Sequence, residues 1–293
     1  MPSKISKTKQ KHSWQFEAIG TAWSIEATTI LQDSVRREIE DYIESFDRAY
    51  SRFRDDSTVG HMATVAGTFQ LPSNGTRLGQ FYKKLYDATD GAVTPLVGDS
   101  LDAAGYDKNY SFKAKSPIVA HRWEEAMAWQ TNTIKTLQPI KLDIGAAGKG
   151  LLVDEIAKII QRASVKEYVI DASGDVLVQG AVQRIGLENP LDPTMVIGAI
   201  EVSNESLCAS AANRRKWGDG WHHVLDARTG SPVNDVTATW VIAESTMIAD
   251  GLATALFFVS AERLQTIAPF DYVRLLADGT VEYSKRFVGQ LFT

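Results

Sequence analysis

The chain has 293 residues, 44% hydrophobic and 23% charged, a composition typical of a globular protein with one large domain or two tightly packed ones. Its formal net charge of −5 disfavours broad attraction to nucleic acid. The single cysteine, Cys208, excludes an internal disulfide framework and a cysteine-based zinc site.

The N-terminal residues 1–12 are basic, and no apolar stretch follows them. We therefore predict a disordered, solvated tail and not a secretory signal. No apolar run has the length of a membrane span, which predicts a protein without membrane insertion and favours the cytoplasm. No repeat or Pro- or Ser-rich linker interrupts the remaining residues, 13–293, which are expected to form a single domain.

The N-terminal half contains patterns of both strand and helix. In chain order, the predicted elements are strands over 14–19 and 21–29, a helix with apolar residues spaced along 35–50, a polar turn over 51–57, a helix over about 77–89, a loop over 92–106, and short strands over about 118–143. The loop over 92–106 is rich in Gly, Pro and small residues, and we expect it to shape a site.

The C-terminal half is richer in strands. Its predicted elements are a helix that opens in the turn 145–150 and ends near Arg162, strands near 167–171, 175–180, 183–188, 196–203, 221–226 and 239–243, a helix around Asp250, and finally a short helix and two strands. Because strands and helices do not alternate regularly, we predict an α+β fold with mixed or antiparallel sheets flanked by helices.

The helix around Asp250 carries the most informative pattern. It is almost wholly apolar or small, and Asp250 and Thr254 are four residues apart, so their oxygens share one face. A buried ionised carboxylate is costly unless a cation or donors satisfy it, and two hard oxygens suit Mg²⁺ beside a phosphate. The alternative is that Asp250 pairs with an Arg or a backbone N–H, while Thr254 bonds back to its own helix.

Residues 143–150 read Asp-Ile-Gly-Ala-Ala-Gly-Lys-Gly, a strand end, a turn of small residues and a helix start. Backbone N–H groups and the helix dipole at such a place form an anion site, and Lys149 adds a positive charge for phosphate. The spacings of a Walker A loop and of a dinucleotide-binding GxGxxG motif are absent. A helix packed closely on a sheet remains the alternative.

Two further clusters contain chemically active side chains. His222 and His223 lie in a predicted strand and point to opposite faces, so one can face a site as a general base while the other is structural. A structural role for both remains open.

The basic run 214–216, beside Trp217 and Trp221, is too short for nucleic acid; it predicts a solvated loop edge or a contact with a nucleotide's phosphate or adenine.

Eight blocks follow one another between about residues 19 and 260. They cover residues 20–25, 50–54, 90–98, 142–150, 171–175, 210–217, 222–230 and 249–255. In content and order they resemble the ApbE-like family, the FAD:protein FMN transferases. The resemblance implies an ApbE-like, T-fold-type architecture.

It also implies an enzyme that binds FAD and Mg²⁺, cuts the pyrophosphate, attaches FMN through a phosphoester to a Thr or Ser of a target flavoprotein, and releases AMP. An FAD pyrophosphatase and a non-catalytic FAD-binding protein remain alternatives. This chain has no convincing copy of an acceptor motif, so the acceptor is expected to be another protein.

The resemblance also implies roles for individual residues. Asp250 and Thr254 match the metal ligands, and the backbone carbonyl of Ala146 completes the set, with Gly148 as the fallback for that carbonyl. The implied catalytic residues are His223, which matches the histidine that activates the acceptor hydroxyl, and Asp250. The positions that match FAD-binding residues are Ile19, Phe53, Ala92, Val93, Thr94, Asp143, Lys149 and Val224.

Some positions depart from the family's usual residues. Leu151 stands where many members have an aromatic residue, Ala227 where they have Pro, and Gly251 where they have Ala. Ala212 replaces a frequent Asp, an exchange that bears on FAD or acceptor binding. These departures indicate a divergent branch that retains the implied metal ligands, Lys149 and His223.

Overall fold

A computed structural model describes residues 11–213, 216–218, 220–285 and 287–292. Most of the predicted tail, residues 1–10, lies outside the described residues, as do Arg214 and Arg215 of the basic run. Lys11 and His12, at the end of the predicted tail, are described: Lys11 forms an ion pair with Glu26 at 3.3 Å, and His12 begins the first strand. The described structure therefore begins two residues before the predicted domain boundary.

The described residues form strands and helices in mixed order. The strands are β1 His12–Ala18, β2 Thr21–Ala27, β3 Thr68–Gln70, β4 Met127–Gln130, β5 Thr133–Thr136, β6 Tyr168–Asp171, β7 Asp175–Gln179, β8 Gln183–Asn189, β9 Asp192–Val202, β10 Glu205–Ala211, β11 Lys216–Trp217, β12 Trp221–His222, β13 Leu225–Asp226, β14 Ser231–Pro232, β15 Val236–Ala243, β16 Asp271–Leu276, β17 Val281–Tyr283 and β18 Gly289–Leu291. The helices are α1 Asp33–Tyr50, α2 Thr58–Met62, α3 Gly75–Ala88, α4 Gly98–Ala103, α5 Trp123–Ala126, α6 Gly148–Arg162, α7 Thr246–Ala255 and α8 Ala261–Leu264, with a 3-10 helix over Pro95–Val97.

The centre of the fold is an eight-stranded antiparallel sheet in the order β1-β2-β6-β7-β10-β15-β16-β17. One face packs against α1, α3, α6 and α7 and forms the larger hydrophobic core. The other face packs against the small sheet β18-β9-β8. Alternation along β15 separates the two cores, with Val241 on the helical side and Trp240 and Ile242 on the opposite side.

This architecture confirms the predicted α+β fold with antiparallel sheets flanked by helices. No helix in the described part of the chain is long and apolar enough to cross a membrane.

The predicted loop over 92–106 was wrong in part, because it contains the 3-10 helix and α4. Thr94 starts the first of these: its hydroxyl accepts a hydrogen bond from the Leu96 N–H at 3.2 Å, and Pro95 occupies the first helical position. In the segment 118–143 the structure forms only β4 and β5 after the short helix α5.

Six further short or irregular elements were not predicted from the sequence. They are α2, β3, β10, β11, β14 and β18. The strand β10 carries Cys208 into the core, where the thiol is fully buried. Its mixture of small and polar residues does not alternate clearly, which hid the strand in the sequence.

Candidate active site

A cavity of about 630 Å³ lies where the β1–β2 turn, the C-terminal end of α1, the start of α6 and the buried face of α7 meet. Nine of the twelve predicted site residues line it: Ile19, Phe53, Asp143, Ala146, Lys149, His223, Val224, Asp250 and Thr254. Gly148, the fallback for the carbonyl ligand, lines it as well. Segments that are far apart in the sequence thus converge on one space.

Asp250 lies at the bottom of this cavity, on α7, and its side chain and backbone are only 5% exposed. The Gly150 N–H, at the start of α6, donates to its Oδ2 at 2.9 Å. Such a contact requires the two helices to lie very close, and a Cβ at Gly150 would lie 2.4 Å from the Thr246 carbonyl oxygen. Glycine at position 150 therefore allows the approach that places this donor on Asp250.

Burial, more than any other cause, raises the pKa of Asp250 well above its ordinary value, and the nearby carboxyl of Asp175 raises it further. Among the described residues, no cationic side chain lies within ion-pair distance of Asp250 and Gly150 is its hydrogen-bond donor. A bound cation would remove this penalty.

The residues around Asp250 fit a hard cation. Thr254 lies one helical turn further along α7, and Ala146 lies in the turn that precedes α6; both line the same cavity as Asp250. A carboxylate, a hydroxyl and a backbone carbonyl are oxygen ligands of the kind that Mg²⁺ takes. Residues 11–213, 216–218, 220–285 and 287–292 contain no cluster of three or more His, Cys, Asp or Glu side chains that could hold a metal ion, so a cation here would depend on hydroxyl and backbone oxygens beside Asp250.

Lys149 is held by acceptors of the protein itself. Its ammonium donates to the carbonyls of Ala172 at 2.8 Å and Ser173 at 3.3 Å, and it lies 3.2 Å from Oδ2 of Asp175, which is 1% exposed. Burial lowers the pKa of Lys149, but the charges of Asp175 and Asp250 outweigh it and the net shift is upward. The sequence predicted a positive charge for phosphate at Lys149; this role stays a prediction, and in the structure the ammonium also contacts three protein oxygens.

Arg52 is a site residue that the sequence analysis missed. Its side chain is 3% exposed, and its guanidinium donates to Asp143 at 2.5 Å, to Asp102 at 2.8 Å and to the Tyr106 carbonyl at 2.7 Å. Nothing in the sequence distinguishes it from Arg54, two residues later, whose guanidinium binds acidic side chains nearer the surface. The difference depends on which distant carboxylates the fold brings to each arginine.

The end of the cavity next to Arg52 is aromatic. Phe53, Tyr106 and Tyr110 line it; the rings of Phe53 and Tyr110 are stacked with centroids 5.6 Å apart. Tyr106 in turn stacks on Trp217, with centroids 6.0 Å apart. A cluster of stacked rings offers a planar aromatic ligand both apolar area and favourable ring geometry.

The two neighbouring histidines occupy different environments. His222 is buried, its Nε2 lies 2.9 Å from the Val233 carbonyl oxygen, and burial lowers its pKa. His223 lines the cavity together with Val224. The role of His223 as a general base stays a prediction, and its position in the lining of the cavity is compatible with it.

Ala92, Val93 and Thr94 do not line the cavity, although the resemblance implied that they do. All three are buried: the Ala92 carbonyl accepts from the Ala227 N–H at 3.2 Å, and Thr94 caps the 3-10 helix. That helix contacts the site indirectly, because the Asp143 N–H donates to the Pro95 carbonyl at 2.7 Å. The segment 92–97 therefore contacts the site through the backbone of Asp143 and not through its own side chains.

Packing explains several of the unusual residues. A Cβ at Gly251 would lie 2.4 Å from Cε1 of Phe81 on α3, so the missing methyl makes room for that ring next to Asp250. Leu151 and Ala227 are buried in the core. Ala212 packs partly buried against a small apolar cluster that includes Val224.

Comparisons with known proteins identify one family. The model of the ApbE family matches residues 19–273. A FAD:protein FMN transferase of Vibrio cholerae is 25% identical over 272 residues, covering 86% of this chain and 80% of the relative. One of Treponema pallidum is 29% identical over 261 residues, covering 77% and 71%.

Solved structures share the fold. The flavin transferase ApbE from Vibrio cholerae superposes with a TM-score of 0.78 at 22% identity, covering 95% of this chain and 99% of that one. The apbe protein from Thermotoga maritima gives a TM-score of 0.79 at 21% identity, covering 94% and 97%. At these identities the likeness establishes the architecture.

Proposed function

The chain belongs to the ApbE family, and on this premise we propose that it is a Mg²⁺-dependent FAD:protein FMN transferase. It takes FAD, attaches the FMN moiety to a Thr or Ser hydroxyl of an acceptor flavoprotein, and releases AMP. Curated relatives that carry this name support the proposal. The observation that carries it is the convergence of Asp250, Thr254 and Ala146 on a cavity that also holds His223.

Asp250, Thr254 and the carbonyl of Ala146 would hold the metal, because these residues line the same cavity and, among the described residues, no cationic side chain lies within ion-pair distance of Asp250. A divalent cation supplies charge neutralisation for a diphosphate when it is bound. The Gly150 N–H orients the Asp250 carboxylate, and Lys149 fixes the Ala172–Ser173 backbone beside it.

His223 takes the proton of the acceptor hydroxyl in this proposal. A Thr or Ser hydroxyl has a pKa far above neutral, so a nearby base is required for it to attack. The hydroxyl oxygen forms a bond to the FMN phosphorus, and the bond from that phosphorus to the bridging oxygen breaks. The bridging oxygen leaves on AMP, and the proton passes to the His223 imidazole.

The aromatic end of the cavity binds a ring system of the dinucleotide. Phe53, Tyr106 and Tyr110 offer ring faces there, and Ile19, in the β1–β2 turn, lines the same cavity. The cavity of about 630 Å³ lies in the range of pockets that bind small molecules and cofactors.

The test combines the protein with FAD, Mg²⁺ and a candidate acceptor flavoprotein. We expect flavin fluorescence that stays with the acceptor on a denaturing gel, together with one AMP for each label. FMN release without labelling would instead identify an FAD pyrophosphatase, and tight FAD binding without either product would identify a binding protein. In the same assay Asp87→Asn should behave as the wild type, because Asp87 is an exposed carboxylate that pairs with Lys83.

A further inference from the structure

Arg52 joins parts of the chain that are far apart in sequence. Its partners Asp102 and Asp143 are 50 and 91 residues away, and its side chain is nearly fully buried. A buried guanidinium is stable only when its donors are satisfied. Here all three of its nitrogens have acceptors, because Nε binds Asp143, Nη1 binds Asp102 and Nη2 binds the Tyr106 carbonyl.

One side of this arrangement leads to the metal-binding turn. Oδ2 of Asp143 accepts from Arg52, while Oδ1 accepts from the Gly145 N–H at 2.7 Å. Gly145 directly precedes Ala146, whose carbonyl the proposed function places on the cation. A single carboxylate therefore connects the guanidinium to the turn that carries this ligand.

The other side leads to the aromatic end of the cavity. The guanidinium carbon lies 4.1 Å from the centre of the Phe53 ring and 5.2 Å from that of Tyr106. Arg52 also binds the Tyr106 backbone. Stacking and a fixed backbone contact together hold both rings in place.

We propose that Arg52 is a positioning residue that orders both ends of the cavity at once. It holds the rings that bind a ring system of FAD and, through Asp143, the turn that offers the Ala146 carbonyl. Loss of its planar fork is then expected to weaken FAD binding and cation binding, each measured in the absence of the other ligand. The identity of the two ligands rests on the proposed function.

The experiment uses the full chain with Arg52→Lys, which keeps the positive charge but not the fork. FAD affinity is measured in EDTA by flavin fluorescence, and Mn²⁺ affinity is measured without FAD by the EPR signal of the free ion. We expect both to weaken by roughly two- to thirtyfold. Arg48→Lys is the matched control, because exposed Arg48 pairs with Glu44, and both affinities should stay as in the wild type.

Asp143→Asn tests the connection from its other end. The asparagine oxygen can still accept from Gly145, but the amide no longer pairs with the guanidinium, and the same double loss is expected. If thermal melting shows that Arg52→Lys does not fold, the two affinities of Asp143→Asn test the inference in its place.

A folded variant that weakens the binding of only one of the two ligands, or of neither, would overturn the inference. Wild-type protein that binds neither FAD nor Mn²⁺ would overturn the proposed function, and the inference with it.

Discussion

The closest contact between α6 and α7 gives the sharpest test of the site. Gly150 lies in the first turn of α6, where Ala normally stabilises a helix by about 1 kcal/mol relative to Gly. In this structure a Cβ at position 150 would lie 2.4 Å from the Thr246 carbonyl oxygen and 2.8 Å from Cα of Met247. Both atoms belong to the backbone, so no side chain can rotate away.

Gly150→Ala must therefore push the two helices apart by about 1 Å to restore ordinary contact distances. Overpacking of this kind costs about 1–3 kcal/mol, which exceeds the gain in helix propensity. The same shift pulls the Gly150 N–H from the Asp250 carboxylate, at present 2.9 Å away. Misplacing a catalytic group by 1 Å costs about 100-fold in rate, so activity should suffer more than stability.

The assay measures AMP release from FAD and Mg²⁺ with an acceptor, together with urea unfolding. Gly67→Ala is the control, since a Cβ there would meet only the edge of the Phe69 ring at 3.5 Å. We expect Gly150→Ala to unfold at lower urea and to lose most of its turnover, whereas Gly67→Ala keeps its turnover. A Gly150→Ala protein that is more stable than the wild type and fully active would refute the packing argument.

Three further predictions follow from the same contacts. Asp250→Ala should abolish AMP release while circular dichroism shows an intact fold, and full metal-dependent activity in this variant would rule out Asp250 as a ligand. Gly251→Ala should lower the free energy of unfolding by about 1–3 kcal/mol, because the new methyl meets the Phe81 ring. The same substitution made in a Phe81→Leu background should cost much less, and an equal cost in the two backgrounds would contradict the clash. Burial lowers the pKa of His222 in the folded protein, so the unfolded chain binds its proton more readily. The contribution of neutral His222 to stability is therefore complete above the unfolded pKa of about 6.5 and is lost as pH falls below it. The melting temperature of His222→Gln should depend less on pH between about 5 and 7 than that of the wild type.

The local part of the site could be predicted from the sequence. Asp250 and Thr254 are one helical turn apart, so a helical pattern suffices to place their oxygens on one face. The predicted strand over 221–226 was wrong in part, because β12 ends at His222; His222 is buried, whereas His223 follows the strand and lines the cavity. For Asp250 and Thr254 the relevant distance is set by the geometry of a single helix.

The contacts of Arg52 could not be predicted in this way. Its carboxylate partner Asp143 is 91 residues away, and the sequence contains another arginine two positions later with the same local surroundings. Likewise, the protein contacts of Lys149 were not predicted, because the carbonyls that accept from it belong to Ala172 and Ser173, after the next strand. Such contacts depend on sheet order, which periodicity does not encode.

The ion pairs of the cavity wall support Asp250 as the proposed cation ligand. Asp143 pairs with Arg52, and Asp175 with Lys149. Asp250 is also buried, but in the described part of the chain its hydrogen-bond donor is a backbone N–H and no cationic side chain lies within ion-pair distance. A buried carboxylate without an ion-pair partner is unfavourable for the protein alone, and a bound divalent cation would stabilise it. Of the four carboxylates that line the cavity, Asp47, Asp143 and Asp175 form ion pairs with Arg54, Arg52 and Lys149, and Asp250 is the one we propose for the cation.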